Sequence, residues 1–245
     1  MARQRGNLRI DGTLYDTTFY KMGNHFFSRA KRNVTKEQIL NDPKFESTRR
    51  NSKEFGTASR AGKLLRDAVM DMYPGAGSSK TAQKVMQLMT ALLKLDGANE
   101  KGKRNVDNGI KQPASRALVE EFEFNDKCKV SSILRKAYET DTATGKITID
   151  HLVPAKDIKA PESATHFTLK GAYLNIDFDK GIATIEYTNE INLCIDTLVT
   201  PIELKPARIP TGAGTKFYLL GIEFFQMVNG VQYEMSKGLA LRQAQ

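Results

Sequence analysis

The sequence predicts an α+β protein, with an N-terminal β-meander plus helices followed by a C-terminal immunoglobulin-like β-sandwich. Three observations predict it. Between residues 6 and 31, short β-branched and aromatic runs alternate with turn dipeptides. Between residues 42 and 97, helix start and stop signals bracket apolar residues at helical spacing. From about Phe122 onward, period-2 runs and turn signals recur every eight to twelve residues. The change at 121/122 sets the expected domains: 1–121, basic meander and helices, and 122–245, sandwich.

Taken in order, residues 7–10 lead into Asp11-Gly12, a dipeptide that takes the positive φ angles of a tight hairpin turn. Residues 13–21 and 25–31 are the next strands, with Gly23-Asn24 between them. Three such strands bury too little to stand alone. The meander has to pack on its own helices, on the second domain or on another copy.

Asn41-Asp42-Pro43 is a helix start, with Asp42 at the N-cap and Pro43 at the first helical position. The helix is expected to run to about residue 73. At 100° per residue, Lys53, Arg60 and Lys63 fall within about 40° of Arg49, and Asp67 and Asp71 continue that stripe. Phe55, Ala58, Gly62, Leu65, Val69 and Met72 fall opposite, as an apolar, small-residue face. Pro74-Gly75-Ala76-Gly77 breaks the helix. Ser78 or Ser79 caps the next one, which carries Val85, Met86, Met89, Leu92 and Leu93 and stops at Gly97. A basic link, Lys101-Gly102-Lys103-Arg104, precedes a broken helical stretch that ends near residue 121.

In the second half, residues 130–138 and 146–152 flank Thr144-Gly145, and 165–170 and 173–178 flank Gly171. Asp179-Lys180-Gly181 leads into 182–188, and 191–204 holds one strand or two. Residues 216–228 and 231–235 flank Asn229-Gly230, the strongest hairpin signal in the chain. Seven or eight short strands fit an immunoglobulin-like sandwich by pattern, without its Cys–Trp–Cys hallmark, since the chain has no Trp.

Composition narrows the chemistry. Of 245 residues, 40% are apolar and 27% charged, which argues against a wholly disordered chain. No apolar run approaches the ~20 residues of a membrane-spanning helix, and residues 1–7 lack the apolar core of a secretory signal; the expectation is a cytoplasmic protein with no membrane contact. Cys128 and Cys194, the only cysteines, rule out a disulfide framework and a four-cysteine zinc site.

Residues 74–81 look like a phosphate-binding loop, but Pro74 and Ser79 stand where that loop needs glycine, and a helix precedes it where a strand should. Asn175, Asp177, Asp179 and Glu186 have roughly calcium-loop spacing, yet Lys180 takes the glycine's place, which reads as a hairpin turn. His25, His151 and His166 form no i, i+4 pair. Sequence alone leaves open a pairing of Cys128 or Cys194 with a distant histidine; both cysteines lie in apolar or strand-like surroundings, where inert thiols are the norm. No Gly-x-Ser-x-Gly elbow occurs. No cofactor, metal or small-molecule substrate is expected.

The charge is uneven. Residues 1–116 hold 23 Lys/Arg and 11 Asp/Glu, or +12; residues 117–245 hold 14 and 17, or −3; together they give the chain's +9. The basic residues expected to meet a partner or polyanion are Arg3, Arg5 and Arg9 at the start, Arg29, Lys31 and Arg32 after the third strand, and Arg49, Arg50, Lys53, Arg60 and Lys63 on the long helix. Tyr15, Tyr20, Phe26 and Phe27 lie nearby, as core residues or, if exposed, as stacking platforms.

The stretch Asn41-Asp42-Pro43-Lys44-Phe45-Glu46-Ser47-Thr48-Arg49-Arg50-Asn51-Ser52-Lys53-Glu54-Phe55-Gly56 resembles the most recognisable part of an uncharacterised bacterial protein family. Residues 58–66, 104–106, 122–125, 164–167 and 220–226 are similar too, as is the Met-Ala-Arg-Gln opening. The resemblance implies a whole-chain module and brings no activity or site residue with it.

The functional expectation is a non-enzymatic structural protein that self-assembles into a homo-oligomer, as a helical tube, filament or phage-like shell. The competing class is a sequence-independent nucleic-acid-binding protein that uses the basic N-terminal half. A carbohydrate- or protein-binding sandwich is a third class, resting on fold analogy alone.

Overall fold

A computed structural model describes residues 2–5, 9–31 and 34–243. The chain divides into two compact units, residues 1–49 and 50–245. The architecture is mixed α+β, with a small N-terminal sheet and helices followed by C-terminal antiparallel sheets.

In the first unit, β1 (Ala2–Arg3), β2 (Gly12–Leu14), β3 (Thr17–Met22) and β4 (His25–Ala30) form a four-stranded sheet in the order β1-β4-β3-β2. β3 and β4 close on Gly23-Asn24, as the sequence marks, with Gly23 at φ 61°. The first hairpin departs from expectation. Its turn is Tyr15-Asp16, with Tyr15 at φ 49°, and Gly12 opens β2 instead of forming a turn. The Lys31 N–H donates to the Asp16 carbonyl at 2.6 Å, which ties that turn to the end of β4. Of the expected strand 7–10, Asn7 and Leu8 lie outside the described residues, and Arg9 and Ile10 are not in a strand.

α1 (Lys36–Asn41) starts at a capping box in which Thr35 and Gln38 satisfy each other's backbone amides. Asp42 then caps a short 3₁₀ turn, Pro43–Phe45, accepting the Lys44 N–H at 3.0 Å. That turn leads straight into α2 (Glu46–Ala68). No described residue between 2 and 49 is buried.

In the second unit, α2 ends at Ala68 and not near residue 73, passing through looser turns into the 3₁₀ segment Pro74–Gly77. α3 (Ser79–Lys94) is capped by Ser78, whose Oγ accepts the Thr81 N–H at 3.3 Å. Ala58, Ala61, Gly62 and Leu65 of α2 face Val85, Met89 and Leu92 of α3. Gly62 keeps the two helices close, since a Cβ there would sit 3.3 Å from Val85 Cγ1. Phe55, expected on this face, is 64% exposed because it lies a turn above the buried seam. α4 (Val106–Ile110) and α5 (Ser115–Glu120) complete the helical layer.

α6 (Val130–Ile133) replaces the first half of the strand expected over 130–138. The cause is Glu123, a buried carboxylate that accepts the N–H groups of Val130 (3.2 Å) and Ser131 (3.1 Å) and so turns the chain there. Next come β5 (Glu139–Thr140), β6 (Ile147–Leu152), the single turn α7 (Pro154–Asp157), β7 (His166–Asp177), β8 (Ile182–Cys194), β9 (Thr200–Leu204), β10 (Thr215–Val228) and β11 (Val231–Gln243). The larger sheet has the order β11-β10-β7-β8, the smaller β5-β6-β9. β10 and β11 meet at Asn229-Gly230, both at positive φ (51° and 80°). Gly171 is not a turn. It sits inside the continuous β7, opposite Leu220, where a Cβ would stand 3.2 Å from the Leu219 carbonyl and the Thr188 methyl.

The strand alternation splits the larger sheet's contacts. Ala172, Leu174, Ile176, Phe217, Leu219, Leu239 and Leu241 share one core with α2 and α3. Phe167, Leu169, Leu220, Ile222 and Phe224 share another with Ile147, Ile149, Ile202 and Leu204 of the smaller sheet. The composition change at 121/122 therefore falls inside one compact unit, because helices before it and strands after it bury each other's apolar surface.

Candidate functional site

A cleft of about 590 Å³ lies between α2, the loop before α4 and the β7–β8 turn. α2 supplies Arg60, Lys63, Leu64 and Asp67; the loop supplies Lys103, Arg104 and Asn105; the turn supplies Phe178, Asp179 and Lys180. Asp107 also lines it, so five cations face three carboxylates. Arg60 and Lys63 thus gain basic neighbours that are distant in sequence.

Asp96 builds the loop. It is 2% exposed, and its carboxylate accepts the N–H groups of Ala98 (3.0 Å), Asn99 (3.2 Å) and Asn105 (3.0 Å) and the Asn99 side-chain amide (2.8 Å). Burial pushes this carboxyl up, but the hydrogen bonds outweigh it and hold it below its usual range. The basic link at 101–104 is thereby pinned at both ends. Glu54 adds a further tie, accepting the Gly102 N–H at 2.7 Å. Arg104 Nε lies 3.8 Å from the same Glu54 oxygen, is buried, and makes no hydrogen bond among the described residues.

The remaining sequence-predicted residues do other things. Arg49 donates to the carbonyls of Ile39 (2.8 Å) and Asp42 (2.9 Å), both within the first unit. Arg50 lays its stem against Gly102, and Lys53 is exposed. In the N-terminal sheet, Tyr20 and Phe27 stack at 5.9 Å, with the Arg29 guanidinium 5.4 Å from the Tyr20 ring. On the other face, Arg9 and Lys21 stand 5.2 and 5.7 Å from the Phe26 ring. Arg3 contacts His25 Nδ1 at 2.6 Å. Arg5 and Lys31 are exposed, and Arg32 lies outside the described residues. Tyr20, Phe26 and Phe27 are half-buried, and Tyr15 is 88% exposed.

Sequence reasoning left Lys103, Arg104 and Lys180 out of the site. The basic link carried a charge signal; Lys180 carried none, because only the packing of the β7–β8 turn brings it to α2. Sequence reasoning also did not pair Cys194 with His166, which face each other across β7 and β8. Asp177 and Asn175, whose calcium-like spacing reads as a hairpin turn, serve the fold. Asp177 accepts the Lys180 N–H at 2.8 Å within the turn, and Asn175 donates to the Gly212 carbonyl at 2.8 Å. Among the described residues, no group of three or more His, Cys, Asp or Glu gathers in a metal-holding arrangement, and no helix is long and apolar enough to cross a membrane. No protein-family description, curated protein or solved structure matches this chain.

Proposed function

We propose that this chain is a non-enzymatic structural protein that assembles with copies of itself into a tube, filament or phage-like shell. The observation that carries the reading is the burial of residues 2–49. A four-stranded sheet and a helix stand there without one buried residue among those described, while Leu14, Tyr15, Met22 and Leu40 are more than half exposed. A small sheet without a core is marginal in water and gains stability from a partner. A second copy suits the charge: residues 1–49 hold ten Lys/Arg and five Asp/Glu, or +5, against −3 for residues 117–245. The basic unit of one subunit then meets the acidic strands of the next, head to tail. In this reading the C-terminal sheets form the rigid body, and the apolar cluster they share supports an immunoglobulin-like sandwich. The likeness to an uncharacterised bacterial family and a cytoplasmic setting belong to the same proposal.

A second reading, sequence-independent nucleic-acid binding, is favoured by the basic cleft and by the aromatic–cationic pairs on both faces of the N-terminal sheet. One experiment separates the two. Sedimentation velocity of nuclease-treated protein across a concentration series gives species heavier than a monomer if assembly is right. A monomer that binds single-stranded DNA at low salt, and binds less well as Arg60→Glu/Lys63→Glu, supports the second reading and overturns the first.

A further inference from the structure

On the side of the larger sheet that packs on the helices, the Met72 methyl approaches the strand at Gly221. Beyond it that side carries polar residues, among them Lys170 and Glu223 (2.6 Å apart) and Asn192, which donates to Thr168 at 2.8 Å. Cys194 and His166 follow in the next row. Cys194 Sγ lies 3.1 Å from His166 Nε2. On the far side of the ring, Thr165 Oγ1 lies 2.9 Å from Nδ1. That oxygen also accepts the Met227 N–H at 2.8 Å and stands 3.4 Å from the Phe225 carbonyl, to which its proton can point. With the Thr165 proton directed at Phe225, the hydroxyl accepts from Nδ1–H. Nε2 then presents its lone pair to the thiol. A nucleophile, a base and a group that orients the base stand here in one row, each within hydrogen-bond reach of the next.

We propose that Cys194 is a nucleophilic thiol activated by His166, with Thr165 as a positioning residue, and that it takes low-molecular-weight disulfides. His166 Nε2 accepts the thiol proton as Sγ attacks one sulfur of a disulfide R–S–S–R. The S–S bond breaks and a Cys194 Sγ–S–R bond forms. The departing RS⁻ takes the proton from the His166 imidazolium and leaves as RSH. The Cys194 sulfur is oxidised and the departing sulfur reduced, so the step needs no other oxidant. An exposed strand suits this chemistry, because the attack needs a clear line to Sγ and the leaving sulfur carries its own charge. Cys128 is the internal contrast: it is 4% exposed, and burial pushes its thiol up.

The test uses the full-length folded protein and dithiobis(nitrobenzoate), following release of the coloured thiol and locating the adduct by peptide mass. The expected result is fast modification of Cys194, about tenfold or more above the same cysteine in the urea-unfolded chain at equal pH, with Cys128 far slower. His166→Ala removes that excess. Thr165→Val removes part of it and Thr165→Ser restores it, which a purely structural role for Thr165 would not produce. A Cys194 rate in the folded wild type no higher than in the unfolded chain overturns the proposal without recourse to any variant. So does a folded His166→Ala protein that reacts as fast as the wild type. Neither outcome bears on self-assembly.

Discussion

Asp96 shows how one side chain sets the geometry of a loop. Its carboxylate gathers three backbone N–H groups and one amide into a buried knot, and the basic residues after it inherit fixed positions. Hydrogen bonds to a charged acceptor are worth about 1.5–3 kcal/mol, and an unmatched buried group costs a similar amount. Asp96→Asn should therefore lower stability by about 2 kcal/mol at neutral pH. The sign of the pH dependence follows from the depressed pKa. The carboxylate stabilises the fold above its unfolded value, about 3.9, and that contribution is lost as the pH falls through the lower folded value. Urea melts of wild type and Asp96→Asn should differ at pH 7 and converge toward the acid end. A gap that persists unchanged into acid would mean the knot is held by shape and not by charge.

At the scale of elements, close approach explains two glycines, Gly109 and Gly171, the second of which the sequence offers as a turn. Gly109 brings α4 onto α3, and a Cβ there would strike the Leu92 carbonyl, which as backbone cannot swing away. Gly109→Ala should cost about 2 kcal/mol or more and lower the thermal midpoint by about 4–8 °C. A melt within a degree of the wild type would show that the two helices separate easily. Gly171 makes the same point about legibility. A glycine between two apolar runs reads as a turn, yet β7 continues through it, in register with β10 and bulged against β8, where Leu219 and Thr188 press on that spot. Asn229-Gly230, Asp42-Pro43 and Ser78 were readable because each acts on the chain within a few residues of itself, the first through its backbone angles and Asp42 and Ser78 through capping side chains. The strand expected at 130–138 failed because its cause, Glu123, lies outside the window and acts through a buried carboxylate. The Cys194–His166 pair was hidden by one residue. Counting outward from the Asp177–Ile182 pair places Cys194 opposite Thr165, but a bulge between Lys170 and Ala172 shifts the register and brings His166 there instead.

Over the whole molecule, the two compact units differ in kind. Residues 50–245 enclose two apolar clusters on the two sides of one long sheet. Residues 1–49 have ordered hydrogen bonding, stacked aromatics and cation–ring contacts, but no buried residue among those described. Charge asymmetry along the chain was legible from composition, and half of the cleft was legible as a basic helix face. That the N-terminal strands bury too little to stand alone was legible as well; that α1 and the start of α2 leave every described residue between 2 and 49 unburied was not, because burial is a property of packing that a strand pattern does not report. Hydrogen exchange at several protein concentrations tests the central claim most directly, since amide protection tracks local stability. If a second copy completes the N-terminal sheet, amides of β3 and β4 gain at least about tenfold protection as concentration rises through the assembly transition, while those of β7 and β10 stay protected throughout. Equal protection of β3 and β4 in the dilute monomer and at high concentration would contradict the account.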